Sequence, residues 1–214
     1  MSYAVKEMFL TLQGEGVKSG RRAVFTRFAG CNLWSGLEKD RATAICQFCD
    51  TDFVGLDGEG GGRFQTAQEL TSAAVAEWGA DTNNRFIVLT GGEPMLQVDD
   101  DLINALHDAG FEIAIESNGT LPVPRTIDWI CISPKAGSET VQRSGDELKL
   151  VWPQPNSAWQ EMENWDFPNL LVQPMDARRD DDESAQNLEA AISFVQDHPN
   201  WRLSLQTHKI LGLA

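Results

Sequence analysis

An α/β fold built on an incomplete, TIM-like barrel of parallel strands with few helices is the architecture this sequence predicts, on three observations. Short apolar strands alternate with amphipathic helices along the chain, the pattern of parallel strands joined by crossover helices. The polar and glycine-rich motifs QGEG, TGGEP, SNGT, SPK, QPMD and THK, and a loop rich in cysteine, each fall just after a strand. Only three strong helices are legible in 214 residues, whereas a closed eightfold barrel typically takes about 250 residues. A single domain over residues 1–214 is expected. In such folds active sites gather at the C-terminal strand ends. The shared placement of the motifs therefore points to a site there.

Residues 4–11, AVKEMFLT, read as a first strand, followed by the loop Gln13-Gly14-Glu15-Gly16. Residues 22–28, RAVFTRF, form a second strand whose alternation puts Ala23, Phe25 and Arg27 on one face. Pattern alone allows that face to line the barrel or to meet solvent. Residues 55–62 are rich in glycine and acid and read as a mobile surface loop. Thr66 with Glu69 makes a capping box for a helix running to about Gly79. A buried strand follows at 85–90, ending at Gly91-Gly92-Glu93-Pro94. Asp99 caps a helix that stops at Gly110. Strands follow at 111–117, 128–133, 147–152 and 169–173. Ser184 is expected to cap a last long helix ending near Pro199, and residues 201–206 to form a closing strand before His208.

Composition excludes several classes. With 32 Asp and Glu against 17 Lys and Arg, the formal net charge is −15, and such a surface repels nucleic acid and anionic membranes. The run Asp180-Asp181-Asp182-Glu183 reads as a solvated feature before the last helix. No stretch is apolar enough to span a bilayer, and the N-terminus carries no basic, signal-like segment. A soluble cytoplasmic protein with free thiols is the expectation.

Three of the four cysteines, Cys31, Cys46 and Cys49, lie in one loop, with fourteen residues between the first two and two between the last pair. Thiolates bind soft metals and iron–sulfur clusters. A four-iron cluster has one ligand per iron, so three cysteines leave one iron open to a small molecule. A closed zinc site needs a fourth ligand, and His107, His198 and His208 are all distant in sequence. On the cysteines alone, cluster and zinc stand level. Cys131, in the apolar run Asp-Trp-Ile-Cys-Ile-Ser, reads as a buried inert thiol.

Four segments carry a resemblance: LTLQGEG at 10–16, the cysteine loop ending in Cys-Asp-Thr at 49–51, GGEP at 91–94 and LQTHKILGLA at 205–214. Together they resemble the radical S-adenosylmethionine superfamily and, within it, the 7-carboxy-7-deazaguanine synthase family of queuosine and 7-deazapurine biosynthesis. The likeness runs nearly end to end. The superfamily usually spaces its first two cysteines more closely, and the content of 32–45, including Trp34, has no reading from sequence.

The resemblance implies a radical lyase. A 4Fe-4S cluster on Cys31, Cys46 and Cys49 holds S-adenosylmethionine at its open iron. The 5′-deoxyadenosyl radical takes the C6 hydrogen of 6-carboxy-5,6,7,8-tetrahydropterin, and ring contraction with loss of ammonia gives 7-carboxy-7-deazaguanine, with magnesium assisting. The same resemblance implies that Phe48, Cys49, Asp50 and Gly92, with Gly91, meet the cofactor. Ser133, Pro134 and Lys135, with Gln173, Pro174, Met175 and Asp176, follow its adenosine and ribose. Thr51 is the implied magnesium ligand, in preference to Asp50 and Asp52. The implied substrate contacts are Leu12, Gln13, Gly14, Glu15, Arg27, Thr90, His208 and the terminal carboxylate of Ala214, where a residue such as proline is expected. Glu116 and Asn118 are expected near the ribose. A homodimer and a flavodoxin-like electron donor complete the implied picture. The alternatives are a non-catalytic zinc-binding interaction protein and a radical enzyme that activates a protein partner.

Overall fold

The structure, a computed structural model, describes residues 2–177 and 180–213. Its strands are β1 (Tyr3–Leu12), β2 (Arg22–Phe28), β3 (Gly62–Phe64), β4 (Phe86–Gly91), β5 (Glu112–Ser117), β6 (Trp129–Ile132), β7 (Glu147–Trp152), β8 (Asn169–Pro174) and β9 (Trp201–Leu203). Its helices are α1 (Ala67–Trp78), α2 (Asp100–Asp108), the four-residue α3 (Trp159–Met162), α4 (Asp181–Asp197) and the five-residue α5 (Thr207–Leu211). The strands form one sheet in the order β3-β1-β2-β4-β5-β6-β7-β8-β9. From β2 to β9 every neighbouring pair is parallel, and β1 runs antiparallel to both β2 and β3. This is the expected open barrel, with α1, α2 and α4 as its long helices.

The two faces of the curved sheet divide the residues by chemistry. Val24, Ile87, Leu89, Ile113, Ile115, Ile130, Ile132, Leu148, Leu150 and Val172 form the core under the helices. The opposite, inner face carries charge. Arg27 pairs in register with Thr90, and Glu116 with Cys131, which pairs in turn with Glu147. At the N-terminal end of β5, Glu112 accepts both Nη atoms of Arg21 at 2.8 Å and Lys18 Nζ at 3.1 Å, a partly exposed ion-paired cluster at the end of the sheet away from the motifs.

Three local expectations change. The last helix is capped by Asp180, whose Oδ1 accepts the Glu183 N–H at 2.9 Å, not by Ser184. Ser184 sits inside the helix and its hydroxyl accepts the Ala177 N–H instead. The run Asp181-Asp182-Glu183 thus forms the first turn, where carboxylates meet the positive helix end. The final strand stops at Leu203, because Ser204 to Gln206 turn toward the 13–16 loop. The glycine- and acid-rich 55–62 segment is laced to β1: Met8 N–H donates to Glu59 O, Gly58 N–H to Lys6 O, and β3 begins at Gly62. The segment is thus held by backbone pairing along an edge its composition concealed.

Asp99 fastens the chain's beginning to α2. Its Oδ1 accepts the Tyr3 hydroxyl at 2.6 Å and the Leu102 N–H at 3.0 Å. Asp99→Ala is expected to cost about 1–2 kcal/mol, the usual loss for a helix cap, read as an earlier denaturant midpoint. An unchanged midpoint would show that the capping bond contributes nothing.

Candidate active site

The C-terminal ends of the parallel strands open into a cleft of about 350 Å³. The cysteine loop forms one rim of the cleft, the QGEG loop and the tail after β9 form another, and the inner sheet face is the floor. Every site residue named from the sequence lines it except two. Pro134 lies between Ser133 and Lys135 without lining the cleft. Ala214 lies outside the described residues.

None of the three thiols is in a disulfide; Cys46 is buried and Cys31 and Cys49 are half-buried. A hydrogen bond between Cys46 and Cys49 pushes the first thiol up, with burial adding to it, and pulls the second down against its own burial. Burial raises Cys31. Cys49 is therefore the first to become a thiolate. Among the described residues, no three His, Cys, Asp or Glu side chains converge tightly enough to hold one metal ion. Thiolates are the ligands that iron–sulfur clusters take, so three thiols in one loop fit a cluster by their chemistry. His107 pairs with Asp128 at 2.8 Å, and the His198 ring packs on Trp159 and Phe194.

The Gly-Gly-Glu motif packs the cysteine loop onto the sheet. Gly91 has φ 135°, and a Cβ there would strike the Phe28 backbone; one on Gly92 would strike the Gly30 carbonyl. The place of each missing Cβ is taken by the chain itself, while both glycines line the cleft. Glu93, fully buried, accepts the Met95 and Asn118 N–H groups and the Ser117 hydroxyl. Asn118 donates to Asn32 at 3.0 Å, so its amide ties the β5 loop to the cysteine loop.

The floor is a charged network with Lys149 at its centre. Its ammonium lies 2.6 Å from Glu15 Oε2 and 2.8 Å from Glu116 Oε2, with its side chain 4% exposed. Burial works to lower this lysine, but the two carboxylates outweigh it and hold it well above the ordinary value. Burial works to raise Glu15, yet Lys149, helped by Gln206, holds that carboxyl well below the usual range. Glu116 also accepts the Gln13 amide at 3.3 Å, and Gln13 in turn accepts the Glu15 N–H. Glu116, expected near the ribose, lines the cleft as part of this floor, and the Gln13 amide buttresses the loop.

Arg27 faces the cleft. Its Nε donates to Glu7 at 2.6 Å, and its Nη atoms have no protein partner among the described residues. The tail closes over the first loop. Thr207 donates to Gly14 O through both N–H and hydroxyl, Gln206 to Glu15, and His208 lies where a Cβ on Gly14 would stand. Burial lowers the His208 imidazole, which keeps it neutral near pH 7. Lys209 bridges Asp50 at 2.7 Å and Asp176, linking the cysteine loop to the loop after β8. Lys135 folds back onto the Ser133 carbonyl and hydroxyl, each at 2.7 Å. Cys131 is buried beside Glu147, its thiol raised by burial.

Sequence reading missed Lys149, Gln206, Lys209 and Glu7. The signal for Lys149 was present: in ELKLVW the two charges alternate with leucines, which puts Glu147 and Lys149 together on the non-core face of a strand.

An open barrel of parallel strands with a thiol-rimmed cleft at their C-terminal ends defines a member of the radical S-adenosylmethionine enzymes. Comparison with solved structures agrees on the fold. QueE from Escherichia coli superposes with a TM-score of 0.69 over 96% of this chain and 94% of that one, at 24% identity. A scan against protein-family models finds no match. Over the whole of both chains, this sequence is 59% identical to a 7-carboxy-7-deazaguanine synthase of Bradyrhizobium diazoefficiens and 55% identical to one of Caulobacter vibrioides. The chain belongs to the 7-carboxy-7-deazaguanine synthase family.

Lys149→Met leaves two partly buried carboxylates facing each other, which is expected to cost about 3–5 kcal/mol near neutral pH. A carboxyl held low stabilises the fold above its ordinary value of about 4.3 and loses that contribution as pH falls. Without Lys149 that contribution is already absent, so the stability gap between variant and wild type narrows as pH falls below about 4. Urea titrations across pH read both effects, and a gap that stays constant into acid would refute the pairing.

Proposed function

We propose that this protein converts 6-carboxy-5,6,7,8-tetrahydropterin to 7-carboxy-7-deazaguanine with loss of ammonia. The observation that carries the reading is the meeting of three thiols outside any disulfide, an inward arginine and a polar floor in one cleft, in a chain of this family. Cys31, Cys46 and Cys49 hold a 4Fe-4S cluster. When bound, the cluster supplies the electron that splits S-adenosylmethionine and so the radical that takes the substrate's C6 hydrogen.

The chain's own residues bind, orient and exclude water. The unpaired Nη edge of Arg27 takes the substrate carboxylate, the geometry a guanidinium fork matches best. Glu15, its carboxyl held low by Lys149 against burial, and Glu116 beside it accept from the amino edge of the pterin ring. Backbone groups of Leu12, Gln13 and Gly14 line the same edge, and Thr90 lies beside Arg27. Neutral His208 closes the mouth against water. Phe48, Asp50 and Gly92 meet the methionine portion of the cofactor. Ser133 and Lys135, with Gln173, Pro174, Met175 and Asp176, follow its adenosine and ribose.

Thr51 is the magnesium ligand on this reading. Both charged neighbours already have cations, Asp50 with Lys209 and Asp52 with Lys6 at 3.0 Å. Magnesium commonly takes few protein oxygens and completes its shell with water and substrate. A homodimer and a flavodoxin-like electron donor follow from the family resemblance. Among the described residues no helix is long and apolar enough to cross a membrane.

Anaerobically reconstituted protein, given the pterin, S-adenosylmethionine and reductant, is expected to release 7-carboxy-7-deazaguanine and ammonia, faster with magnesium. Absence of product from brown, cluster-loaded protein would favour the activation of a protein partner. Colourless protein holding one zinc would end the enzyme reading. Thr51→Ala is expected to keep its iron and lose most magnesium stimulation, so undiminished stimulation would reject that ligand.

A further inference from the structure

The fourteen residues between Cys31 and Cys46 pose a physical problem. With a short spacing, one tight turn sets all three thiols. Here the first thiol is separated from the other two by a long excursion, so something else must fix the Cys46–Cys49 turn. The excursion folds back onto that turn. Ile45 and Cys46 N–H groups donate to Leu33 O, and the Gln47 amide donates to Ala42 O. Residues Glu38–Thr43 form a 3-10 helix, and Arg41 projects from it.

The Arg41 guanidinium makes every contact that matters there. One Nη donates to the carbonyls of Gln47 at 2.8 Å and Cys49 at 3.1 Å, which flank the second and third cysteines. Its plane lies 4.0 Å over the Trp34 ring, and Trp34 packs edge-on to Phe53 at 5.5 Å on the far side of the cysteine loop. Nε donates to Glu38. The arginine side chain is 16% exposed and that of Glu38 is 74% exposed, so water screens the carboxylate more than the guanidinium. The other Nη is buried without a partner among the described residues. Such orphan donors are uncommon.

We infer that Arg41 is the positioning residue of the cluster loop: it staples the Cys46–Cys49 turn through two carbonyls. The inference rests on the cluster assignment under Proposed function. The insertion then has a task, to supply from a distance the rigidity that a short cysteine spacing builds in. An exposed salt bridge to Glu38 alone contributes little; the carbonyl staple and the stacking on Trp34 are what hold the turn.

The test compares wild type, Arg41→Lys and Arg41→Gln, each reconstituted anaerobically. Wild type that takes up no iron and sulfide would refute the cluster assignment itself. Given loaded wild type, Arg41→Gln is expected to lose iron to a chelator about tenfold to a hundredfold faster, the usual effect of removing a group that orients metal ligands. Arg41→Lys can reach a carbonyl but cannot span both and stack on Trp34, so its iron loss is intermediate. Metal-free melting of the variants separates this effect from misfolding. Wild-type iron retention in Arg41→Gln would overturn the inference. If that variant does not fold, wild-type retention in Arg41→Lys would overturn it equally.

Discussion

A buried ammonium between two carboxylates holds the mouth of this open barrel together. Lys149 stands on β7, Glu116 on β5 and Glu15 in the loop between β1 and β2. An open sheet has no strand pairing to close it, and its two ends here are β3 and β9. The 13–20 loop bridges the gap. It reaches β7 through Val17 N–H to Glu147, and the end of β9 through Gly16 N–H to Ser204 and Thr207 N–H to Gly14 O. Ionic and polar contacts thus do for the cleft side what hydrogen-bonded strands do in a closed barrel. Such a network is high-stakes, because a member left unpaired in a low-dielectric interior is costly.

That arrangement divides labour between two rims. The cysteine rim is held by packing: Gly91 and Gly92 let it sit on β2, Glu93 and Asn118 tie it to β5, and Arg41 pins its second turn. The opposite rim is held by charge and by the tail, whose Lys209 reaches across to Asp50 and Asp176. A ligand entering between them meets soft sulfur on one side and hard oxygen and nitrogen on the other. Radical chemistry calls for this separation: one place where an electron arrives, and another where a polar heterocycle is fixed.

Much of the fold was legible because strand alternation, capping residues and glycine stops are local signals. The limits of β2, Arg22–Phe28, follow directly from its alternation. The site's position was legible because the motifs share one end of the sheet. What escaped was non-local. Lys149 is noticeable as an inward charge, but its partners lie 134 residues away in a loop and 33 residues away on β5. The 55–62 segment looked free because pairing along β1 is a matter of backbone, not of composition. Ser184 lost the cap to Asp180 because four candidate oxygens crowd one helix start. The 32–45 stretch has no periodic pattern, and its meaning appears only once Arg41 is seen against the carbonyls it grips.

The central claim is that three protein sulfurs hold four irons and leave one iron to a small molecule. Mössbauer spectra of iron-57-loaded protein, recorded with and without S-adenosylmethionine, test it most directly. One iron in four is expected to change its isomer shift when S-adenosylmethionine is added, while the other three stay as they were. Spectra in which all four irons are unaffected would mean that the protein itself occupies the fourth position, and the account would fail.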